Sequence, residues 1–168
     1  VFRDPAMVMK AELGLIPLYG WFSHKFQHIF VRRDKGPSAL RALIRDARQR
    51  AAEGRQVVIF PEGTRRPPGA PPDYKPGFLA LYEGLGLPCV PLALNSGLFW
   101  PRRSVMRYPG TIVIEILDPI PAGLPRAEAR SLIRSRIEAA CDRLIEEARA
   151  APNPPPMPDG GDVRSGTK

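Results

Sequence analysis

No apolar run in the 168 residues approaches the ~20 consecutive residues that a membrane-spanning helix needs, and no stretch reads as a secretory signal. A bilayer crossing within this sequence is thereby excluded. Cysteine is scarce: Cys89 and Cys141 stand far apart, in neither a paired metal-binding motif nor a disulfide framework. They read as buried free thiols in a reducing, cytoplasm-facing compartment, and no metal site is expected. A Gly-x-Ser-x-Gly nucleophile elbow is also missing, which argues against a soluble α/β serine hydrolase. Nucleic-acid motifs are absent, and the Lys and Arg residues are dispersed instead of forming a stripe with interleaved aromatics, so no nucleic-acid partner is expected.

What the chain has in excess is positive charge. A formal net charge of +8 and a pI near 10.1 call for an acidic partner. With 43% hydrophobic residues the chain can build a real core, and one domain over residues 1–150 is the default. From Ala151 to Lys168 the Pro-Asn-Pro-Pro-Pro and Gly-Gly stretches cannot bury enough apolar surface to order themselves, so a disordered Pro/Gly-rich tail is expected there.

The most informative stretch is Phe60-Pro61-Glu62-Gly63-Thr64-Arg65. It follows Gln56-Val57-Val58-Ile59, whose β-branched residues predict a buried strand that stops at Phe60, because Pro61 cannot donate to a ladder. Loops at strand ends are where open α/β sheets bind ligands. This one delivers a carboxylate, a hydroxyl and a guanidinium around a glycine that lets backbone approach a ligand closely, and Arg65 offers a planar donor fork suited to phosphate. Taken alone, the tetrapeptide Glu62 to Arg65 reads more readily as a surface turn with a weak ion pair, and its neighbours change that balance.

The remaining pattern is α/β. Residues 1–26 are apolar but broken by Pro17 and Gly20, and predict a short helix and a turn; Leu18, Tyr19, Trp21 and Phe22 either pack on the core or wet a lipid interface. Gln27 to Arg32 predicts a strand closed by Arg33, and Ser38 caps a helix with Leu40, Leu43, Ile44, Ala47 and Ala51 inward. That helix carries Arg41, Arg45, Arg48 and Arg50 as a solvated face or one that leans on anionic lipid. Pro67 to Pro72 is a surface excursion. Phe78 to Tyr82 is a short helix with Pro76 in its first turn and Gly84 or Gly86 at its end. Pro88 to Leu94 is a buried strand in which Pro91 marks an edge or bulge, and Thr111 to Leu117 is another strand. Arg126 to Ala150 is a packing helix faced by Leu132, Ile133, Ile137, Cys141, Leu144 and Ile145. The sum is a mixed, mostly parallel sheet flanked by helices.

Three segments in register carry a resemblance. Ile29-Phe30-Val31-Arg32-Arg33, Phe60 to Arg65, and Val90-Pro91-Leu92-Ala93-Leu94 resemble the second, third and fourth sequence blocks of the glycerolipid (lysophospholipid) acyltransferases, including the 1-acylglycerol-3-phosphate acyltransferases. The resemblance covers Lys10 to Pro121. It implies transfer of an acyl chain from acyl-CoA or acyl-acyl carrier protein to the free hydroxyl of a lysophospholipid, with no bound cofactor. The implied setting is the anionic cytoplasmic face of the bacterial inner membrane. Arg33 and Arg65, with Lys75, would neutralise the acceptor phosphate, and Gly63 would admit it to the backbone. Glu62 and Thr64 would complete the acceptor site, and Pro91 would line the acyl-donor channel. The family's first block, a histidine followed five places on by an aspartate, supplies the general base. Here only His24 and His28 occur, with Ile29 and Arg33 five places on, so the catalytic pair is expected to precede Val1 and the chain as given to be inactive. The alternative is a phosphate- or lipid-binding α/β domain without catalysis.

Overall fold

A computed structural model describes residues 2–32, 36–102 and 104–156. The chain packs as two compact units. The first comprises Val1–Gly63, Tyr74–Pro88 and Ala122–Arg126; the second comprises Thr64–Asp73, Cys89–Pro121 and Ala127–Lys168.

The first unit is built on a parallel sheet of order β2-β1-β3, where β1 is Pro5–Lys10, β2 is Ile29–Val31 and β3 is Gln56–Val58. Val8 pairs with Ile29 on one side of β1, and Ala6 pairs with Val57 on the other. The central strand lies in the stretch expected to be helix and turn. Its residues, Pro-Ala-Met-Val-Met-Lys, include one β-branched side chain, so propensity gave no strand signal; burial between two parallel neighbours decides it. Proline is tolerated as the first residue of a strand. A short 3-10 helix, Ala11–Leu15, and helix α1, Tyr19–Lys25, follow in the region where a helix and turn were expected.

Helix α2, Gly36–Ala52, buries Leu43 and Ala47 in a cluster with Ala6, Ile29 and Leu81. Leu40, Val8, Val31, Val57, Ile59 and Leu85 pack around it. The expected inward face is therefore right. Ser38 is the third residue of the helix and not its cap, and the residue before Gly36 lies outside the described ones. Helix α3, Pro76–Leu85, starts on a proline, whose missing N–H costs nothing at that position, and ends at Gly86 in a left-handed conformation. Gly84 lies inside α3. A Cβ there would meet Ile44 Cγ2 at 2.7 Å, so the bare glycine is what allows α2 and α3 to approach.

The second unit holds an antiparallel pair, β4 (Leu92–Leu94) with β5 (Ile114–Ile116), in the register Ala93 opposite Glu115. Both strands are shorter than expected. Cys89 bridges Ile120 beyond the pair, and the Pro91 carbonyl accepts from Leu117 N at 3.0 Å, so the proline interrupts pairing as a bulge-like break. One helical turn, α4 (Ser96–Phe99), follows β4. Helix α5, Arg126–Arg149, matches the expected span, but alanines dominate its buried stripe: Ala129, Ile133, Ala140, Leu144 and Ala148. Ala140 and Leu144 join Ala93, while Ala148 joins Leu98 and Phe99. Small residues let a helix lie close to what it packs on, which a reading weighted toward bulky side chains misses. Ala151 to Pro156 forms no helix or strand, and its Pro155 is buried; the rest of the expected tail, 157–168, lies outside the described residues. Among the described residues no helix is long and apolar enough to cross a membrane.

Candidate functional site

At the end of β3 the backbone turns sharply. Gly63 N donates to the Phe60 carbonyl at 2.9 Å, closing a four-residue turn with Pro61 at its second position and Gly63 at its last. Gly63 sits at φ +64°, where an L side chain is disfavoured, so the glycine predicted from the motif is also required by the backbone. Phe60, expected to end a buried strand, is 53% exposed; the strand itself stops at Val58.

A second bond positions this turn. Lys75 N donates to the Pro61 carbonyl at 2.9 Å, which pins the N-terminus of α3 against the turn. Lys75 is the helix N-cap, with an exposed side chain and extended backbone. Thus the turn that carries Glu62 and Gly63, and Lys75, which was selected separately in the sequence, are tied together in the first unit. The partial positive charge of the first helical turn and the Lys75 ammonium favour an anion at this corner. A Cβ at Gly77 would meet no heavy atom within 4 Å, so approach to the helix start is open.

Thr64, half-buried, and Arg65, exposed, belong to the second unit. Next to them Arg66 Nη1 lies 3.5 Å from Asp73 Oδ2, a contact that spans the proline-rich excursion. Pro91, also in the second unit, is buried. Arg33 lies outside the described residues.

Asn95, at the end of β4, is structural. Its Oδ1 accepts from Val113 N at 2.9 Å and its Nδ2 donates to the Thr111 carbonyl at 3.4 Å, so both ends of a buried amide are spent aligning the approach to β5. The histidines have structural neighbours too. His28 Nδ1 accepts from Met7 N at 3.3 Å, and the His24 ring lies 4.4 Å from that of Phe30. Burial, then the Arg55 charge, hold His28 below its ordinary value, with Asp4 opposing. An open depression of about 470 Å³ is lined by Arg41, Ile44, Arg45 and Arg48 of α2 and Gly84, none of them a motif residue. Arg48 donates there to the Gly84 carbonyl at 2.7 Å, and Arg45 pairs with Asp46 at 2.8 Å. Among the described residues no His, Cys, Asp and Glu group could hold a metal. Both cysteines are free, and half-buried where full burial was expected.

Sequence reasoning passed over Arg55. Its side chain is 7% exposed, with Nε 2.9 Å from Asp4 Oδ2 and Nη2 donating to the Phe26 carbonyl at 2.9 Å. Longer contacts at 3.4 Å reach the carbonyls of Asp4, Pro5 and Gln27. Its partners are backbone oxygens far away in sequence, so no local motif could announce it.

The family model for acyltransferases matches residues 2–95, which include the β3 turn and the start of α3. The chain belongs to the acyltransferase family. This acyltransferase chain is 34% identical over 146 residues to a 1-acyl-sn-glycerol-3-phosphate acyltransferase of Pseudomonas aeruginosa, covering 87% of the chain and 57% of that protein. It is 30% identical over 141 residues to a lyso-ornithine lipid O-acyltransferase of the same organism, covering 71% of the chain and 52% of that protein. Among solved structures, the crystal structure of the 1-acyl-sn-glycerophosphate acyltransferase PlsC from Thermotoga maritima shares the fold, with a TM-score of 0.67 at 24% identity over 84% of this chain and 57% of that one. The chain thus spans little more than half the length of the curated relatives it matches.

Proposed function

We propose that the polypeptide to which this chain belongs transfers an acyl group from a thioester, acyl-CoA or acyl-acyl carrier protein, to the free hydroxyl of a lysophospholipid, foremost 1-acylglycerol-3-phosphate, giving phosphatidic acid. The observation that carries the reading is the β3 turn held against the start of α3 by the Lys75–Pro61 backbone bond, inside a segment that matches the acyltransferase family.

In this reading the acceptor hydroxyl oxygen attacks the thioester carbonyl, its proton passes to a histidine base, and collapse of the tetrahedral intermediate breaks the carbon–sulfur bond and expels the thiolate, which takes that proton from the histidine and leaves as the thiol. The thioester is already activated, so no cofactor is needed. A positioned base contributes typically about 10²–10⁴-fold. This sequence contains no histidine with an aspartate five places on, so the chain as given supplies acceptor placement and not that base. Arg33, Arg65 and Lys75 would neutralise the acceptor phosphate, Gly63 would admit it, Glu62 and Thr64 would hold the arginines or the glycerol hydroxyl, and Pro91 would border the acyl chain. Residues 1–150 would then form an acyltransferase domain that lacks its N-terminal catalytic block, at the cytoplasmic face of an anionic membrane.

The net charge of +8 and the lysine at the α3 N-terminus also fit a second reading, a phosphate- or lipid-binding α/β domain without catalysis. Arg65→Ala in a protein that carries the histidine–aspartate block tests the first. Loss of one charged hydrogen bond, about 1.5–3 kcal/mol, should raise the acceptor KM roughly 10- to 150-fold and leave the thioester KM unchanged. An unchanged acceptor KM removes Arg65 from the site. Faster turnover of lyso-ornithine lipid than of lysophosphatidate would replace the phosphate acceptor by an amino-acid headgroup.

A further inference from the structure

Helix α1 is packed inside out. It buries Gly20 and Ser23, its small residues, and leaves its large ones in solvent. A Cβ on Gly20 would fall 2.1 Å from the Gly14 carbonyl oxygen, so the 3-10 helix and α1 meet backbone to backbone, with no room for side chains between them. Most of the large apolar side chains face outward: Leu15 is 84% exposed, Leu18 74%, Trp21 58%, Phe26 57%, Phe22 48% and Tyr19 47%. Leu18 enters the helix at φ +62°, a backbone state a leucine adopts only where its surroundings impose it. The aromatic rings form a continuous run. Trp21 meets Phe22 edge-on at 4.8 Å, Phe22 stacks on Phe26 at 6.4 Å, and the Lys25 ammonium lies 5.1 Å from the Trp21 ring centre.

We propose that this face, Leu15, Leu18, Tyr19, Trp21, Phe22 and Phe26, seats at the headgroup level of an anionic bilayer. A seven-residue helix is too short to span and can only lie in the plane of the interface. Indole and phenol rings favour that level, and a lysine stem beside them keeps its charge among the headgroups. Charge complementarity selects the lipid: in residues 10–32 the cations Lys10, Lys25 and Arg32 face one carboxylate, Glu12. Six side chains also fall well short of the roughly 20–30 residues a side that a stable protein interface takes. The inference deepens the proposed function, since it rests on that reading for why a bilayer matters. Vesicle binding is measured without acceptor or thioester, so either can fail alone.

Trp100→Phe leaves Trp21 as the sole indole of the full chain. Mixed with vesicles of equal parts phosphatidylglycerol and phosphatidylethanolamine, this protein should show a blue-shifted emission quenched by lipids brominated near the headgroup, and should co-sediment at least tenfold more tightly than with phosphatidylcholine vesicles. Phe22→Ser with Phe26→Ser, at exposed positions, should keep the far-ultraviolet dichroism and weaken co-sedimentation at least tenfold. Arg41→Gln with Arg45→Gln on α2 should change it less than twofold. Unchanged co-sedimentation in the double phenylalanine variant overturns the proposal. So does equal binding to phosphatidylcholine, a loss confined to the α2 variant, or a dimer in sedimentation velocity that the phenylalanine variant dissolves while vesicle binding stays intact.

Discussion

Arg55→Ala should be the most damaging single truncation of a charged residue in the first unit. The guanidinium, 7% exposed, donates to the Phe26 carbonyl and pairs with Asp4, both at 2.9 Å. The well-formed charged bond to Phe26 is worth about 1.5–3 kcal/mol, more so because its loss leaves a carbonyl without that donor. The Asp4 carboxylate, 69% exposed, adds only about 0–1 kcal/mol. Three contacts at 3.4 Å to Asp4, Pro5 and Gln27 contribute a few tenths each at most. The sum is about 2–4 kcal/mol, a large share of the ~5–15 kcal/mol that holds a typical domain. For a chain of this size it lowers the thermal midpoint by roughly 4–16 °C. Arg55→Lys keeps a point charge but not the fork, and should recover no more than about half of the loss. Circular dichroism melts of the three proteins measure this. Nuclear magnetic resonance gives an independent check, because the Arg55 charge helps hold His28 down: the His28 pKa should rise in Arg55→Ala and stay in Arg55→Lys. Midpoints within 1 °C of the parent for both variants would refute the clamp, and water would be the equal of the guanidinium for those carbonyls.

His28 itself makes acid costly. Its folded pKa lies below the ordinary 6.5, so as pH falls below that value the unfolded chain binds a proton that the fold resists. Stability should drop between there and the folded pKa, and His28→Asn should flatten the urea midpoint over that window. Burial raises the Cys89 thiol, so in Cys141→Ser iodoacetamide at pH 8 should alkylate Cys89 at least about tenfold more slowly in the folded than in the unfolded protein. Gly20→Ala, forced into the Gly14 carbonyl, should cost at least about 1–3 kcal/mol. Gly14→Ala, 3.1 Å from the His24 and Phe30 rings, should cost less, which paired melts would show.

Helices were readable where apolar spacing met a physical stop. Leu43 and Ala47 of α2 and the Pro76 and Gly86 ends of α3 fell where periodicity and terminus chemistry put them. The central strand was hidden for the opposite reason. Ala6, wholly buried, and the two methionines of Pro5–Lys10 look helical in isolation, and only pairing with β2 and β3 makes them a strand. The alanine stripe of α5 was invisible likewise, because what selects Ala140 and Ala148 is the closeness of a partner and not their own hydrophobicity.

The candidate site divides along the same line. Glu62 and Gly63 could be chosen from sequence because a strand end, a proline and a glycine dictate a local turn, and the positive φ of Gly63 is a local demand. Lys75 could be chosen because the family resemblance implies a lysine there, beside a proline that opens a helix. That the two meet depends on one bond, Lys75 N to the Pro61 carbonyl, between groups that every residue pair possesses. Backbone–backbone ties carry no side-chain signature, so the sequence supplied the parts of this corner and the fold supplied their adjacency. Asn95 shows the converse. A polar residue at a strand end is the kind of group that ligands use, yet here Val113 N and the Thr111 carbonyl consume it. A polar side chain at a strand terminus therefore counts toward a site only after its neighbours' backbone groups have been supplied with partners, and in this chain that test removes Asn95.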